Sequence, residues 1–235
     1  MSLLTLITQV CSRIGSVAAP SSVSSSSDPQ IIQLMALANE EGQDLCRRYP
    51  WQRLQNESHF TTVATESQGA IGTLAGSGFD YVLNDIMWNR SLRRPVFGPL
   101  TAQDWQQLKA QNITGPWNQF RIRGSNVLFI PAPTAGQSIY FEWLSKYWCT
   151  GAGGDAETWA ADADTAYLDE TVMVSGIIWR WKQYKGLEYA EDYNKYERQV
   201  ADLMARDGGK QRLNLNSGNI GYPAGTFVPI GSWNL

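Results

Sequence analysis

Phe79–Ala110, FDYVLNDIMWNRSLRRPVFGPLTAQDWQQLKA, is the stretch on which the reading of this chain turns. Phe79 to Ile86 reads as a strand, rich in aromatic and β-branched residues. Behind it come Trp88, Arg90, the pair Arg93-Arg94 and the run Pro95-Val96-Phe97-Gly98-Pro99. Thr101 then opens a short helix, with Asp104 three residues on as a capping-box-like partner. Trp105 and Leu108 fall on the inner face of that helix. The stretch has no nucleophile beside a base, no metal-ligand spacing and no phosphate loop. It is built to hold a shape or to meet a partner.

The same strand-like character extends to both sides. His59 to Ala64, Gln119 to Arg123, Val127 to Ile130 and Ser138 to Leu144 are short apolar runs punctuated by Gly, Pro, Asn and Ser. Arg123-Gly124-Ser125-Asn126 is the expected hairpin turn. Residues 55–150 therefore read as a β-rich insertion.

Helical periodicity takes over at both ends of the chain. Leu3, Ile7, Val10 and Ile14 make a first amphipathic helix that stops at Gly15. Ser16 to Ser27 is serine-rich and reads as a flexible linker. Asp28-Pro29 supplies an N-cap and a first-turn proline for a second helix that ends at Tyr49-Pro50. A third long helix is expected from about Thr165 to Tyr184, apolar nearly all round between Val172 and Trp181 and so placed in the middle of the packing. A fourth carries Tyr189, Tyr193, Tyr196, Val200 and Leu203 and ends at Gly208-Gly209. The remaining residues are rich in Gly, Asn and Pro. They include Phe227 and Trp233 without periodicity and read as an extended arm. The expected fold is α+β. A small helical bundle from the N- and C-terminal parts (1–54 and 160–207) carries the β-rich insertion (55–150) and an extended C-terminal arm (208–235).

Composition narrows the function classes. Only 17% of the 235 residues are charged, below the usual quarter, while ten tryptophans and ten tyrosines fill the difference. Aromatics with a polar tip suit surfaces that are dry on one side and wet on the other. The formal charge of −3 offers no basic footprint for gripping nucleic acid. It is compatible with a channel wall past which DNA slides. Cys11, Cys46 and Cys149 are odd in number and far apart, and read as buried, reduced thiols. No apolar run reaches membrane-spanning length, and Met1 to Gly15 lacks the basic start of a signal peptide.

Each chemistry-bearing group has a plainer reading beside the catalytic one. His59 is the single histidine, expected as a polar strand residue. Asp155, Glu157, Asp162, Asp164, Asp169 and Glu170 could serve a carboxylate-based hydrolase. They read more simply as a solvated loop leading into a helix N-terminus. Gly69 to Gly72 and Gly76 to Gly78 lack the Gly-Lys-Ser/Thr ending of a phosphate cradle and read as a flexible loop. Asn112-Ile113-Thr114 is a sequon by pattern alone. Trp88, Trp105, Trp143, Trp148 and Trp159 are open to core, interface or sugar-platform readings. For Arg90, Arg93 and Arg94 the alternatives are a solvated turn or a contact with a partner's carboxylate.

The run NDIMWNRSLRRPVFGPLTAQDWQQLKA resembles a segment of the head-to-tail adaptor (neck, head-completion connector) proteins of tailed bacteriophages. Trp88-Asn89-Arg90, Arg93-Arg94-Pro95, Gly98-Pro99-Leu100 and Trp105-Gln106 carry the likeness in order. SLLTLITQVCSRIG and DPQIIQLMALANEEGQDLCRRYPWQRL resemble the first two helices of that family, and the closing helices and tail fit in order and length. The resemblance implies a structural, non-enzymatic virion protein of the neck, assembled in the host cytoplasm. It implies a ring of about twelve neighbouring copies that docks on the portal protein and provides the attachment site for a tail or nozzle protein. Genomic DNA would pass through without sequence-specific binding, and no cofactor, metal or membrane is involved. Interface candidates are Trp88, Arg90, Arg93, Arg94, Phe227 and Trp233. The alternative is a tryptophan-rich carbohydrate-binding β module, for example of a tail component.

Overall fold

The computed structural model describes residues 1–111, 117–151 and 153–208. Phe227, Trp233 and the expected arm beyond Gly208 lie outside the described residues, as does the Asn112 sequon. In chain order the elements are α1 (Leu3–Ile14), α2 (Pro29–Arg48), β1 (Gln55–Thr61), β2 (Ser67–Ala70), α3 (Ile71–Ala75), β3 (Phe79–Val82), β4 (Ile86–Asn89), β5 (Arg94–Phe97), α4 (Ala102–Gln111), β6 (Gln119–Arg123), β7 (Asn126–Ile130), β8 (Ser138–Ser145), β9 (Cys149–Gly151), β10 (Gly154–Ala156), α5 (Glu170–Tyr184) and α6 (Ala190–Arg206). The protein is mixed α+β.

Local capping chemistry sets the helix ends. The Ser2 hydroxyl accepts the Thr5 amide, and α1 stops where Gly15 takes a left-handed φ of 70°. Asp28 accepts the Gln30 amide ahead of Pro29. Asp169 accepts the Val172 amide and starts α5 five residues later than the periodicity suggests. The residues before that cap are held in extended pairings, Ser2 with Thr165 and Cys149 with Ala166. The serine-rich segment after α1 is no free linker. Val17 and Val23 are buried, and the amides of Val23 and Ser24 both donate to Asp162.

α5 packs against α1, α2 and α6. Leu6, Ile7, Leu34, Leu45, Val174, Ile177, Trp181 and Val200 share one apolar cluster, into which the edge-to-face pair Trp148 and Trp159 also packs. The α2–α5 contact contains a buried charge cluster. Glu41 is fully buried and pairs with Arg180, which is 5% exposed and also reaches Asp44 and, at 3.5 Å, Glu40. One guanidinium thus serves three carboxylates. Burial pushes the Glu41 carboxyl up to about 7, against the counter-pull of Arg180.

The sheet runs β1-β8-β4-β5-β6-β7-β2, with β3 also paired to β8. All pairings are antiparallel except β5–β6, whose crossover is carried by α4. The sheet curls enough that Phe60 on β1 meets the ring of Phe129 on β7 at 6.0 Å. Its interior is a second apolar cluster that includes Met87, Val96, Phe120, Ile139, Phe141 and Trp143. Two expectations change here. The strand expected from Phe79 to Ile86 breaks at Asn84 and Asp85, both with positive φ, so that β3 and β4 are separate. The glycine-punctuated stretch 69–78 is no loose loop but holds the end of β2 and all of α3.

Candidate interface on the β4–β5 hairpin

The hairpin pairs Ile86 with Phe97, Met87 with Val96, Trp88 with Pro95 and Asn89 with Arg94. Alternation sends Met87 and Val96 into the sheet interior and leaves Trp88, 37% exposed, on the outside. The register continues across the sheet as a row, in which Trp88 opposes Tyr140 and Tyr140 opposes His59. The guanidinium of Arg90 lies 3.5 Å from the centroid of the Tyr140 ring. His59 stacks on the same ring at 5.0 Å with planes 16° apart. Arg90 also forms an ion pair with Glu57. That pair has local work to do, because Glu57 and Glu142 are direct cross-strand neighbours of like charge. A shallow cleft of about 250 Å³ runs beside this row, lined by Trp88, Arg90, Tyr140 and Glu142 among others.

The hairpin turn, Arg90 to Arg93, stays tied to β8, where the Arg90 amide donates to the Ser138 carbonyl and the Ser91 hydroxyl accepts the Ser138 amide. Leu92 is 43% exposed there, and Arg93 takes a left-handed φ of 53°. Arg94 lies 5.4 Å from the ring centroid of Trp117, which is 53% exposed. The structure thus brings Trp88, Arg90, Arg93 and Arg94 onto a single hairpin. Tyr140 beside Trp88 and Arg90, Leu92 at the turn and Trp117 beside Arg94 escaped sequence reasoning. Tyr140 alone carried a signal, since alternation along β8 puts it opposite Phe141 and Trp143.

The other candidate groups are structural. Trp105, Trp143, Trp148 and Trp159 are buried. Asp162 accepts the Val23 and Ser24 amides, and the Ser22 hydroxyl first and those amides after it hold its carboxyl below the ordinary value. Asp164 accepts the amides of Ala160 and Ala161, Asp155 accepts the Tyr167 hydroxyl, and Glu157 pairs with Lys146. His59 is an exposed strand residue. No group of three or more His, Cys, Asp or Glu side chains is placed to hold a metal among the described residues. No helix among them is long and apolar enough to cross a membrane. What this surface offers is flat aromatic area and a guanidinium preset on the Tyr140 ring.

The chain matches the family model described as SU10 adaptor protein over residues 1–219. It therefore belongs to the SU10 adaptor protein family, a family of phage head-tail adaptors. No curated protein matches it.

Proposed function

We propose that this chain is a structural subunit of the virion neck, a head-to-tail adaptor that works by fit between surfaces and catalyses nothing. Copies pack side by side into a ring of about twelve. The ring docks on the portal protein, continues the DNA channel and offers the tail or nozzle protein its attachment site. In this reading residues 1–54 and 160–207 form one helical body of bundled helices. Residues 55–150 are the insertion that meets neighbours, and residues 208–235 form an extended arm toward the portal.

The observation that carries the reading is the family match along 1–219. The exposed hairpin with Trp88, Arg90, Arg93 and Arg94 supports it, since such residues anchor interfaces. So does the formal charge of −3, which leaves DNA free to slide. A carbohydrate-binding β module is the weaker reading. Trp88 and Trp117 are exposed, but α1, α2, α5 and α6, of 12, 20, 15 and 17 residues, build a helical body for which a sugar-binding β module has no use. Cryo-electron microscopy of particles carrying this chain tests the proposal. Density for it is expected between portal and tail at the unique vertex. Density elsewhere on the particle would refute it.

A further inference from the structure

The β4–β5 hairpin has a knob at one end and borders a hollow at the other. At the tip Leu92 projects and Arg93 is exposed, with no ion pair from Arg93 among the described residues. At the base, where the Gly98 amide donates to the Asp85 carbonyl at 3.2 Å, a cleft of about 420 Å³ opens. Phe79, Val82, Pro99 and Ile122 give it apolar walls, and Asp80 and Asp85 stand at its rim. Both carboxylates are exposed and neither forms an ion pair within 4 Å among the described residues, although Asp80 also lines a second cleft with Arg47 and Lys146. Four strand residues separate the two ends, roughly 13 Å at about 3.3 Å per residue. The tip therefore cannot fill the cleft of its own subunit.

We propose that the Leu92-Arg93 tip of one copy seats in the Asp80–Asp85 cleft of the next. Leu92 enters the apolar part, and the Arg93 guanidinium meets the acidic rim that Asp80 and Asp85 provide. The fork of donors on arginine fits two acceptors where a lysine ammonium would favour one. Knob and hollow are different patches on one subunit, so the contact is head-to-tail. It leaves a free tip and a free cleft after every addition and propagates until rotation closes the ring. Arg93 takes a left-handed φ that glycine or asparagine adopts more readily than arginine. This inference rests on the ring reading above and names the contact between neighbours.

Charge exchange tests it in the full-length protein. Arg93→Asp and Asp80→Arg are each expected to cut ring assembly about tenfold or more, the scale of losing a paired charge at an interface. The two substitutions together are expected to restore it. Both positions are exposed, so circular dichroism and the melting temperature should not move. A second arm uses Leu92→Cys with Tyr81→Cys in assembled particles, Tyr81 being an exposed residue that also lines the cleft. Oxidation is expected to yield a ladder of linked multimers from the double variant and nothing beyond monomer from either single one. Full ring yield from both single charge variants would overturn the contact while leaving the ring reading intact. Dimers from a single cysteine variant would show a tip-to-tip contact and overturn it likewise. Intact rings that fail only to take up tail protein would assign the cleft to the tail. If the unaltered protein forms no ring, this inference and the ring reading fall together.

Discussion

Gly176 on α5 faces Glu41 on α2 so closely that a Cβ at position 176 would overlap the Glu41 carboxyl. The missing side chain at Gly176 leaves room for the buried carboxylate, which pairs with Arg180 one turn further along α5. A mid-helix glycine and a buried charge pair, 135 residues apart in the sequence, thus form one feature. The charge cluster fixes how the helices meet more than it stabilises them, since desolvating such groups offsets much of their attraction.

Gly176→Ala should therefore destabilise the protein although alanine is the better helix former. The propensity gain is about 1 kcal/mol, while forcing atoms into a filled site costs about 1–3 kcal/mol. A net loss of up to about 2 kcal/mol is expected from urea unfolding followed by circular dichroism. A gain in stability would show that Glu41 can swing aside.

The same cluster makes stability depend on pH. Burial raises the Glu41 carboxyl from 4.5 to about 7, so the folded protein holds this proton more tightly than the unfolded chain does. The contribution is fully present below pH 4.5 and is lost as pH rises through about 7. Urea midpoints measured across that window should fall for the native sequence, and Glu41→Gln should remove that part of the slope. Parallel curves for the two proteins would contradict this.

Arg90 separates folding from recognition. Its ion pair with Glu57 is about half exposed and its stack on Tyr140 is at the surface, so Arg90→Ala should cost less than about 1 kcal/mol of stability. Trp88→Ala should cost more, about 1–3 kcal/mol, because most of its ring is covered although the residue is 37% exposed. If this row meets a partner, the same substitutions should weaken attachment by about 2 kcal/mol or more, roughly thirtyfold. Equal and small effects on both readouts would remove the row from the interface.

The three thiols should be silent in the folded protein. Cys11, Cys46 and Cys149 are buried, and burial pushes Cys46 up to about 11 and Cys149 up to about 12. Thiol reagents at mildly alkaline pH should label none of them until urea unfolds the chain, after which all three should react. Labelling of any one under native conditions would show local opening near it.

Sequence legibility followed the range of the forces involved. The strand Gln119–Arg123 and the limits of α1 and α2 were readable because caps, a glycine stop and alternation are local signals. The hairpin was not, because β4 owes its place to long-range pairing of Trp88 and Asn89 with Tyr140 and Ile139. Asn84 and Asp85, which tolerate positive φ, gave the only local hint of the break before it. The packing of Val17 and Val23 under a serine-rich surface depends on Asp162, some 139 residues away. The Glu41–Arg180 pair is equally distant and had no signature in either helix. Trp88 and Arg90 stood out as interface candidates by residue type, while the exposure of Leu92 and Trp117 needed the folded surface.

Co-sedimentation of the purified protein with rings of the cognate portal protein tests the account most directly. Saturable binding in ring-like multiples, weakened by Trp88→Ala and Arg90→Ala with the fold intact, is the expected result. A protein that stays in the supernatant at every concentration while the same portal rings accept another neck component would contradict it.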